Sequence, residues 1–183
     1  MQSSKFFLFF LTVIFSSLPT FSSASDVSLK MENMAGEIYL QIKNESNRHI
    51  YSPGFAGKHH PPLILVFSKK GHLIPDSYWS FSTNSPTSAV HKSFFFHLHP
   101  NSESTVGVGF ELIPGRFTLS DDGYYYVICI LKKGEKISDG LWFSNILSLR
   151  LEDHKIVESF ATTKTDLPPP VQVSLSRVLQ GLK

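Results

Sequence analysis

Apolar and polar residues alternate with period two along much of this chain, and this alternation restricts the possible folds more than any other feature. In Glu37–Asn44, the apolar residues Ile38, Leu40 and Ile42 occupy every second position. Such a segment presents one apolar face when it is extended, whereas a helix would scatter the same residues around its axis. Glu103–Leu112 repeats the pattern. The alternation therefore predicts an all-β protein built from half-buried strands.

Similar segments recur at intervals that are typical of two packed antiparallel sheets. About seven strands are predicted, at 27–31, 37–44, 63–67, 94–99, 103–112, 124–131 and 143–151. This number and spacing predict an antiparallel β-sandwich. Lys69-Lys70-Gly71 predicts a turn into a short return strand at His72–Ile74. Asn44-Glu45-Ser46 predicts a turn after the second strand, because Asn and Ser side chains bond nearby backbone groups.

The C-terminal segment changes character at Leu167-Pro168-Pro169-Pro170. After it, apolar residues fall at helical spacing, which predicts a short amphipathic helix; they are Val171, Leu175, Val178, Leu179 and Leu182. The alternative is one more edge strand, in which Val171, Val173 and Leu175 alternate with polar residues. We expect residues 167–183 to pack on the same domain as 25–166 in either case.

The N-terminal residues 1–24 have the three parts of a cleavable secretory signal peptide. Lys5 is the positive region, Phe6–Phe15 is the apolar region, and Ser22-Ser23-Ala24 offers small residues for cleavage. A membrane span needs about 20 apolar residues, and this run is shorter. The sequence therefore predicts a secreted or periplasmic protein with no membrane span after cleavage.

Charge and cysteine content exclude some classes of protein. The 17 basic and 15 acidic residues nearly balance, and no basic stripe is present, which argues against a nucleic-acid partner. Cys129 is the only cysteine, so no disulfide within the chain is possible. Because Cys129 lies inside the apolar run Tyr124–Leu131, we expect it to be a buried core residue and not a reactive thiol.

Asp121-Asp122-Gly123-Tyr124-Tyr125 precedes and enters this apolar run. The spacing resembles the tyrosine corner of immunoglobulin-like sandwiches, in which a tyrosine anchors the turn between two sheets. The resemblance extends to the disulfide-free immunoglobulin-like modules of exported bacterial proteins, some of which are small proteinase inhibitors. It implies structural roles for Asp121, Gly123, Tyr125 and Cys129. The second cysteine of the antibody pattern would fall at Val127, so the antibody-type disulfide is absent.

His97 and His99 lie two positions apart in a predicted strand, so both rings point to the same face. Two such imidazoles can contribute two ligands for copper or zinc, and a third is needed. The candidates for the third are His59-His60, His91, or the thioethers of Met31 and Met34, which suit Cu(I). No other cofactor is predicted.

Aromatic residues cluster around two loops and in the last hairpin. Exposed Tyr and Trp are typical anchors of binding interfaces, and the candidates here are Tyr51, Phe55, Tyr78, Trp79, Phe81 and Trp142. The alternative is that the helix or a loop covers these rings. If they are exposed, the expected partner is another protein, a peptide or a glycan.

No sequence frame for catalysis is present: the chain lacks a Gly-x-Ser-x-Gly turn, a phosphate-binding loop and a dinucleotide fingerprint. We therefore expect a non-enzymatic binding module, of which a hydrolase inhibitor is one version. The alternatives are an exported metal carrier that uses the strand histidines and a structural module of the cell envelope. The sequence leaves the partner and the oligomeric state open.

Overall fold

A computed structural model of the chain describes residues 26–53, 62–76, 95–108, 117, 119, 123–134, 137–153 and 155–182. These residues form antiparallel sheets and one short C-terminal helix, which confirms the predicted all-β, sandwich-like class. Among them, no helix has both the length and the apolar character needed to cross a membrane. Asp121, Phe55, Tyr78, Trp79 and Phe81 lie outside the described residues, as do residues 1–25.

The described strands and helix are, in chain order, β1 (Val27–Met34), β2 (Glu37–Asn44), β3 (Ile50–Pro53), β4 (Leu63–Ser68), β5 (Phe95–Leu98), β6 (Glu103–Val108), β7 (Gly123–Lys132), β8 (Leu141–Phe143), β9 (Ile146–Glu152), β10 (Lys155–Thr162) and α1 (Pro169–Gly181). One sheet has the order β1-β2-β6. A second has the order β10-β9-β7-β4, with β8 also paired to β7. The strands β3 and β5 form a separate two-stranded ribbon.

The first core lies between the two larger sheets. The alternating residues of β2, Ile38, Leu40 and Ile42, are fully buried and face this core, as their period predicts. Val127 and Leu149 of the second sheet contribute to the same core. Because each strand of a sheet turns alternate side chains to opposite faces, the polar residues between them are left toward solvent.

The residues of the tyrosine-corner pattern that the structure describes enter this same core. Tyr125 is buried, and a Cβ atom at Gly123 would lie 3.6 Å from its ring. Cys129 is fully buried, which confirms that it is a core residue. Its Sγ atom lies 3.3 Å from Sδ of Met31. The sulfur atoms therefore contact each other inside the sandwich.

A second core explains why the apolar runs of β4 and β7 are continuous. The face of the second sheet that is turned away from the sandwich is covered by α1, whose Val171 and Leu175 are buried against Leu65, Ile128 and other residues of the same cluster. A strand that is covered on both faces needs apolar residues at every position. The predicted amphipathic helix is thus confirmed, and the alternative of an edge strand at 171–175 is wrong. The prolines suit the start of a helix, where no backbone donor is needed.

The segment 143–151 is not one strand, as the sequence analysis predicted, because Ser144 and Asn145 interrupt it between β8 and β9. The Asn145 side chain joins the two sheets instead. Its Oδ1 accepts a hydrogen bond from the Met31 backbone nitrogen at 2.6 Å, and its Nδ2 donates to the Met31 carbonyl at 3.0 Å. This carboxamide satisfies backbone groups of β1 much as a neighbouring strand would.

Two strands escaped the sequence analysis. The strand β3 has only four residues, and its last residue, Pro53, and the following Gly54 are turn formers. The strand β10 follows β9 closely, and most of its side chains are exposed, so its sequence carries no clean alternation. The predicted return strand at 72–74 is reduced to a single bridge between Phe67 and Leu73.

We predict that Gly71→Ala destabilises the protein more than Gly36→Ala. Both glycines have positive φ, +81° and +88°, so alanine costs each of them about 1–2 kcal/mol of backbone strain. At Gly71 a Cβ would also lie 2.5 Å from the Pro170 carbonyl oxygen at the start of α1, whereas at Gly36 nothing lies within 4 Å. We expect an additional loss of about 1–3 kcal/mol at Gly71 from this overlap.

Chemical denaturation of both variants and the parent measures the difference, with Gly36→Ala as the matched control for strain. Equal losses in the two variants would contradict the close approach of α1 to this turn.

Candidate metal centre

The two-stranded ribbon of β3 and β5 brings three histidines and a tyrosine onto one face. In the antiparallel register, Tyr51 lies opposite His97 and Ile50 lies opposite Leu98. His49 and His99 flank these paired residues, and their ring centroids lie 5.2 Å apart. Alternate residues point to the same face of a strand, so these four rings share one face of the ribbon.

The opposite face of the ribbon fixes it to the protein. Ile50 and Leu98 are buried and belong to the core between the sheets. Their neighbours His49, His97 and His99 are exposed. The alternation of the ribbon thus anchors one face in apolar contacts and presents the imidazoles to solvent on the other.

The three imidazoles are close enough to share one ion. One ligand nitrogen from each of His49, His97 and His99 lies within 4.8 Å of the others. The tightest contact is between His49 Nδ1 and His97 Nε2, at 2.9 Å. Zn–N bonds of about 2.0–2.1 Å require nitrogens roughly 3.3 Å apart at tetrahedral angles. The spacings in the cluster, from 2.9 Å to at most 4.8 Å, bracket this value.

Tyr51 is stacked on the ring of His97. Its plane lies 7° from that of His97, with the ring centroids 4.5 Å apart. The rings of His97 and His99 are 4.6 Å apart, and the ring of His49 lies 5.1 Å and 5.2 Å from them. Tyr51 therefore covers one side of the His97 ring and restricts its orientation.

Asn44 holds together the two backbone segments that carry the histidines. This residue is fully buried at the end of β2. Its Nδ2 donates hydrogen bonds to the carbonyls of Arg48, at 2.8 Å, and His99, at 2.9 Å, and lies 3.4 Å from that of Leu98. Its Oδ1 accepts bonds from the backbone nitrogen and the hydroxyl of Ser46. The turn predicted at Asn44-Glu45-Ser46 is thus a clamp that sets the distance between His49 and His99.

The electrostatics of the cluster disfavour protons. Partial desolvation lowers the pKa of His97 from its ordinary value of 6.5, and the charges of His99 and His49 lower it further. In the 2.9 Å contact between His49 and His97, one ring must donate a hydrogen and the other accept it, so at least one of these rings is neutral when the bond forms. Neutral imidazole is also the form that binds metals.

The structure brings the predicted ligands His97 and His99 together. The residue beside them is not one of the candidates that the sequence analysis named for the third ligand. The third imidazole beside them is that of His49. Met31 is buried in the sandwich core, and Met34 lies at the opposite end of the β1–β2 hairpin from Asn44, about 23 Å along the strand. The expectation that these thioethers complete the site is therefore wrong. His59, His60 and His91 lie outside the described residues.

The predicted aromatic contact surface is only partly described. Tyr51 is 53% exposed, but it belongs to the histidine cluster and not to a separate patch. The prediction that Trp142 is a contact residue is wrong, because its side chain is only 8% exposed and packs in the sandwich core. Trp142 pairs with Leu131 across β8 and β7. The other four predicted contact residues, Phe55, Tyr78, Trp79 and Phe81, lie outside the described residues.

His49 escaped the sequence analysis because β3 was not recognised. The signal that would have found it is the pattern His49-Ile50-Tyr51, in which an apolar residue stands between two polar rings. His97-Leu98-His99 has the same pattern. Pairing two such segments in antiparallel register places all four rings on one face.

No protein-family model, no curated protein and no solved structure matches this chain. The function is therefore inferred from the chemistry of the site itself.

We predict that Asn44→Asp destabilises the fold and weakens the cluster. The substitution replaces the Nδ2 donor with an oxygen that faces the carbonyls of Arg48 and His99, which leaves buried acceptors unpaired. We expect a loss of about 2–4 kcal/mol in the free energy of unfolding. Metal affinity of the folded fraction should fall roughly 10- to 100-fold, as for loss of an outer-shell partner.

Unfolding curves and metal titrations measure the two effects. Asn47→Asp is the matched control, because it adds the same charge to an exposed position in the same turn. Equal effects of Asn44→Asp and Asn47→Asp would indicate that charge, and not the clamp, is responsible.

We predict that the His97 imidazole titrates below pH 6.5 and that a His49→Ala/His99→Ala variant moves its midpoint upward. The double substitution removes both neighbouring charges and part of the desolvation that lowers the pKa of His97. Because the folded state holds the proton less tightly than the unfolded chain, stability rises with pH across this range. It is lost as pH falls below 6.5 through the lowered pKa of His97.

Histidine ring signals followed by NMR between about pH 4 and 8 test this, since that range brackets the ordinary imidazole pKa. The ring of His72, exposed in the turn after β4, is an internal reference. An unchanged His97 midpoint in the double variant would contradict electrostatic coupling within the cluster.

Proposed function

We propose that this protein is an exported metal-binding protein that carries Cu(II), with Zn(II) as the second-best ion, on His49, His97 and His99. The observation that carries the proposal is the spacing of one ligand nitrogen from each of these three rings within 4.8 Å of the others. Scattered surface histidines do not require a metal. Three imidazoles on one face of a ribbon, held by a buried carboxamide, are the arrangement that an imidazole-ligated ion needs.

The cluster is stabilised by a bound metal ion and destabilised by protonation of its imidazoles. Desolvation lowers the pKa of His97, and the repulsion among adjacent protonated imidazoles, from His99 and His49, lowers it further. The lowered pKa keeps this ring neutral, and thus competent to bind metal, at more acidic pH than an isolated imidazole. Metal affinity should therefore persist through neutral pH and decline only when acid protonates the rings.

The donor set favours Cu(II) among divalent ions. Among the residues that the structure describes, no thiol and no carboxylate joins the three nitrogens. Imidazole nitrogens suit Cu(II), Zn(II) and Ni(II), and for a given site Cu(II) binds most tightly in the first transition row. Cu(I) prefers soft sulfur ligands, and the sulfur atoms of Met31 and Cys129 are buried in the core.

The exposure of the cluster favours a carrier over a structural site. All three rings face solvent, and the two apolar cores that hold the sheets and α1 together do not contain them. Loss of the ion would therefore leave the packing of the sandwich intact. The N-terminal leader predicted at residues 1–24 would deliver such a carrier outside the cytoplasm, where metals are exchanged.

Binding of a protein, peptide or glycan through the aromatic loops stays a prediction. The residues that would carry it, apart from Tyr51 and the buried Trp142, lie outside the described part of the chain. The proposal of an envelope module has no described contact to support it.

We predict that the untagged protein binds one Cu(II) per chain and that His97→Ala/His99→Ala weakens the binding by more than about 100-fold. Removal of two of three direct ligands should cost more than loss of an outer-shell partner, which costs roughly 10- to 100-fold. Isothermal titration calorimetry with Cu(II) and Zn(II) in a weakly chelating buffer measures both affinities.

His49→Ala should weaken binding as well, because its ligand nitrogen lies within 4.8 Å of those of His97 and His99. His72→Ala is the matched control, since it removes one exposed imidazole elsewhere on the surface. If the His49 and His72 variants bind Cu(II) equally well, or if the parent binds no more tightly than the double variant, the proposal fails.

A further inference from the structure

The described ligands leave a bound ion with all of its charge. Imidazole is neutral when it binds a metal, and no carboxylate or thiol of the described residues joins His49, His97 and His99. Arg48, which precedes His49 in the sequence, is cationic and forms an ion pair with Asp26. A divalent ion on these rings would therefore keep two positive charges, the largest local charge in this part of the surface.

Three ligands also leave the coordination of the ion incomplete. Zn(II) takes four ligands in tetrahedral sites, and Cu(II) takes at least four in tetragonal sites. A site with three protein ligands keeps the remaining position for water or another molecule, whereas a closed structural site fills it. The three rings share one exposed face of the ribbon, so among the described residues nothing fills the remaining position, which faces solvent.

The tyrosine beside the three histidines meets them with its ring. Tyr51 meets His97 with the face of its ring, at 4.5 Å and almost parallel. A neutral phenol that stacks in this way orients the imidazole and shields one side of it, while the positive charge of the ion stays uncompensated.

We infer that the ion held at this site takes an anionic ligand, a carboxylate, in its open position, so that the protein is a metal-dependent receptor for carboxylates. This inference rests on the proposed function. The carboxylate can come from a small organic acid or from an acidic side chain of a partner protein, and both offer the same oxygen donor to the ion. No bond within the protein breaks, because the incoming oxygen replaces only solvent.

An open position also provides a route for transfer of the ion. An incoming ligand can attach there before any of the three imidazoles leaves, so the ion need never be free in solution. Acidic or otherwise anionic segments of a receiving protein are the partners that this charge distribution fits.

Azide is the probe, because its binding to Cu(II) produces a charge-transfer absorption band. The protein, loaded with one Cu(II) per chain, is titrated with sodium azide at constant ionic strength. We expect a new band that saturates as a single binding event. Acetate and a short Asp-rich peptide are then added to displace the azide, the first representing a free acid and the second a protein segment.

Two substitutions at Tyr51 show whether the azide occupies the inferred position. Tyr51→Phe keeps the stacked ring and removes only the hydroxyl, so it is the reference with which the azide affinity of Tyr51→Glu is compared. Tyr51→Glu places a carboxylate beside His97 on the same face of the ribbon. It should bind Cu(II) more tightly and weaken azide binding at least about tenfold, because the internal carboxylate neutralises and fills the site.

Each outcome has a definite meaning. Displacement of azide by acetate supports a small-acid ligand, and displacement by the peptide at much lower concentration supports an acidic partner segment. Cu(II) binding without an azide band would overturn the open position while leaving the metal site in place. An azide band that neither carboxylate displaces would overturn the carboxylate assignment. A band that appears only in Tyr51→Phe would show that the phenol fills the position, and no Cu(II) binding would overturn this inference together with the proposed function.

Discussion

The buried side chain of Asn44 links the first sheet to everything that the candidate site requires. It lies where β2 ends, and its two polar atoms bond the backbone of the following turn and of the segment after β5. A buried carboxamide is costly unless its donors and acceptors are paired, and here the pairing is possible only when the two histidine-bearing segments are close. The stability of the turn and the geometry of the cluster therefore depend on the same set of hydrogen bonds.

The sandwich supplies the rigid support behind this clamp. Its central sheet is covered on both faces, by the first sheet on one side and by α1 on the other. A chain with one cysteine has no disulfide to fix two sheets. Packing and cross-sheet hydrogen bonds, such as those from Asn145 to Met31, take that role. The ribbon of β3 and β5 attaches to this support through Ile50 and Leu98, so the exposed rings are held from behind.

Much of the fold was predictable because it depends on local patterns. The alternation in β2, the continuous apolar run in β7 and the helical spacing after Pro170 each indicate the burial that the structure has. Short or exposed strands such as β3 and β10 carry weak patterns, since few of their side chains are buried and little selects for alternation. The same weakness hid His49. Met31 was a candidate ligand because its thioether suits Cu(I), although its position in β1 faces the core.

The sequence by itself determined the all-β class, the C-terminal helix, the buried Cys129 and the pairing of His97 and His99 on one face, because each follows from periodicity within a single segment. Tertiary structure decided the rest. Only the register between β3 and β5 sets His49 and Tyr51 against His97 and His99, although β3 and β5 are separated by more than 40 residues of chain. Only the packing of the two sheets buries Trp142 and Met31. Contacts between distant segments depend on how complete faces fit together, and no local pattern encodes that fit.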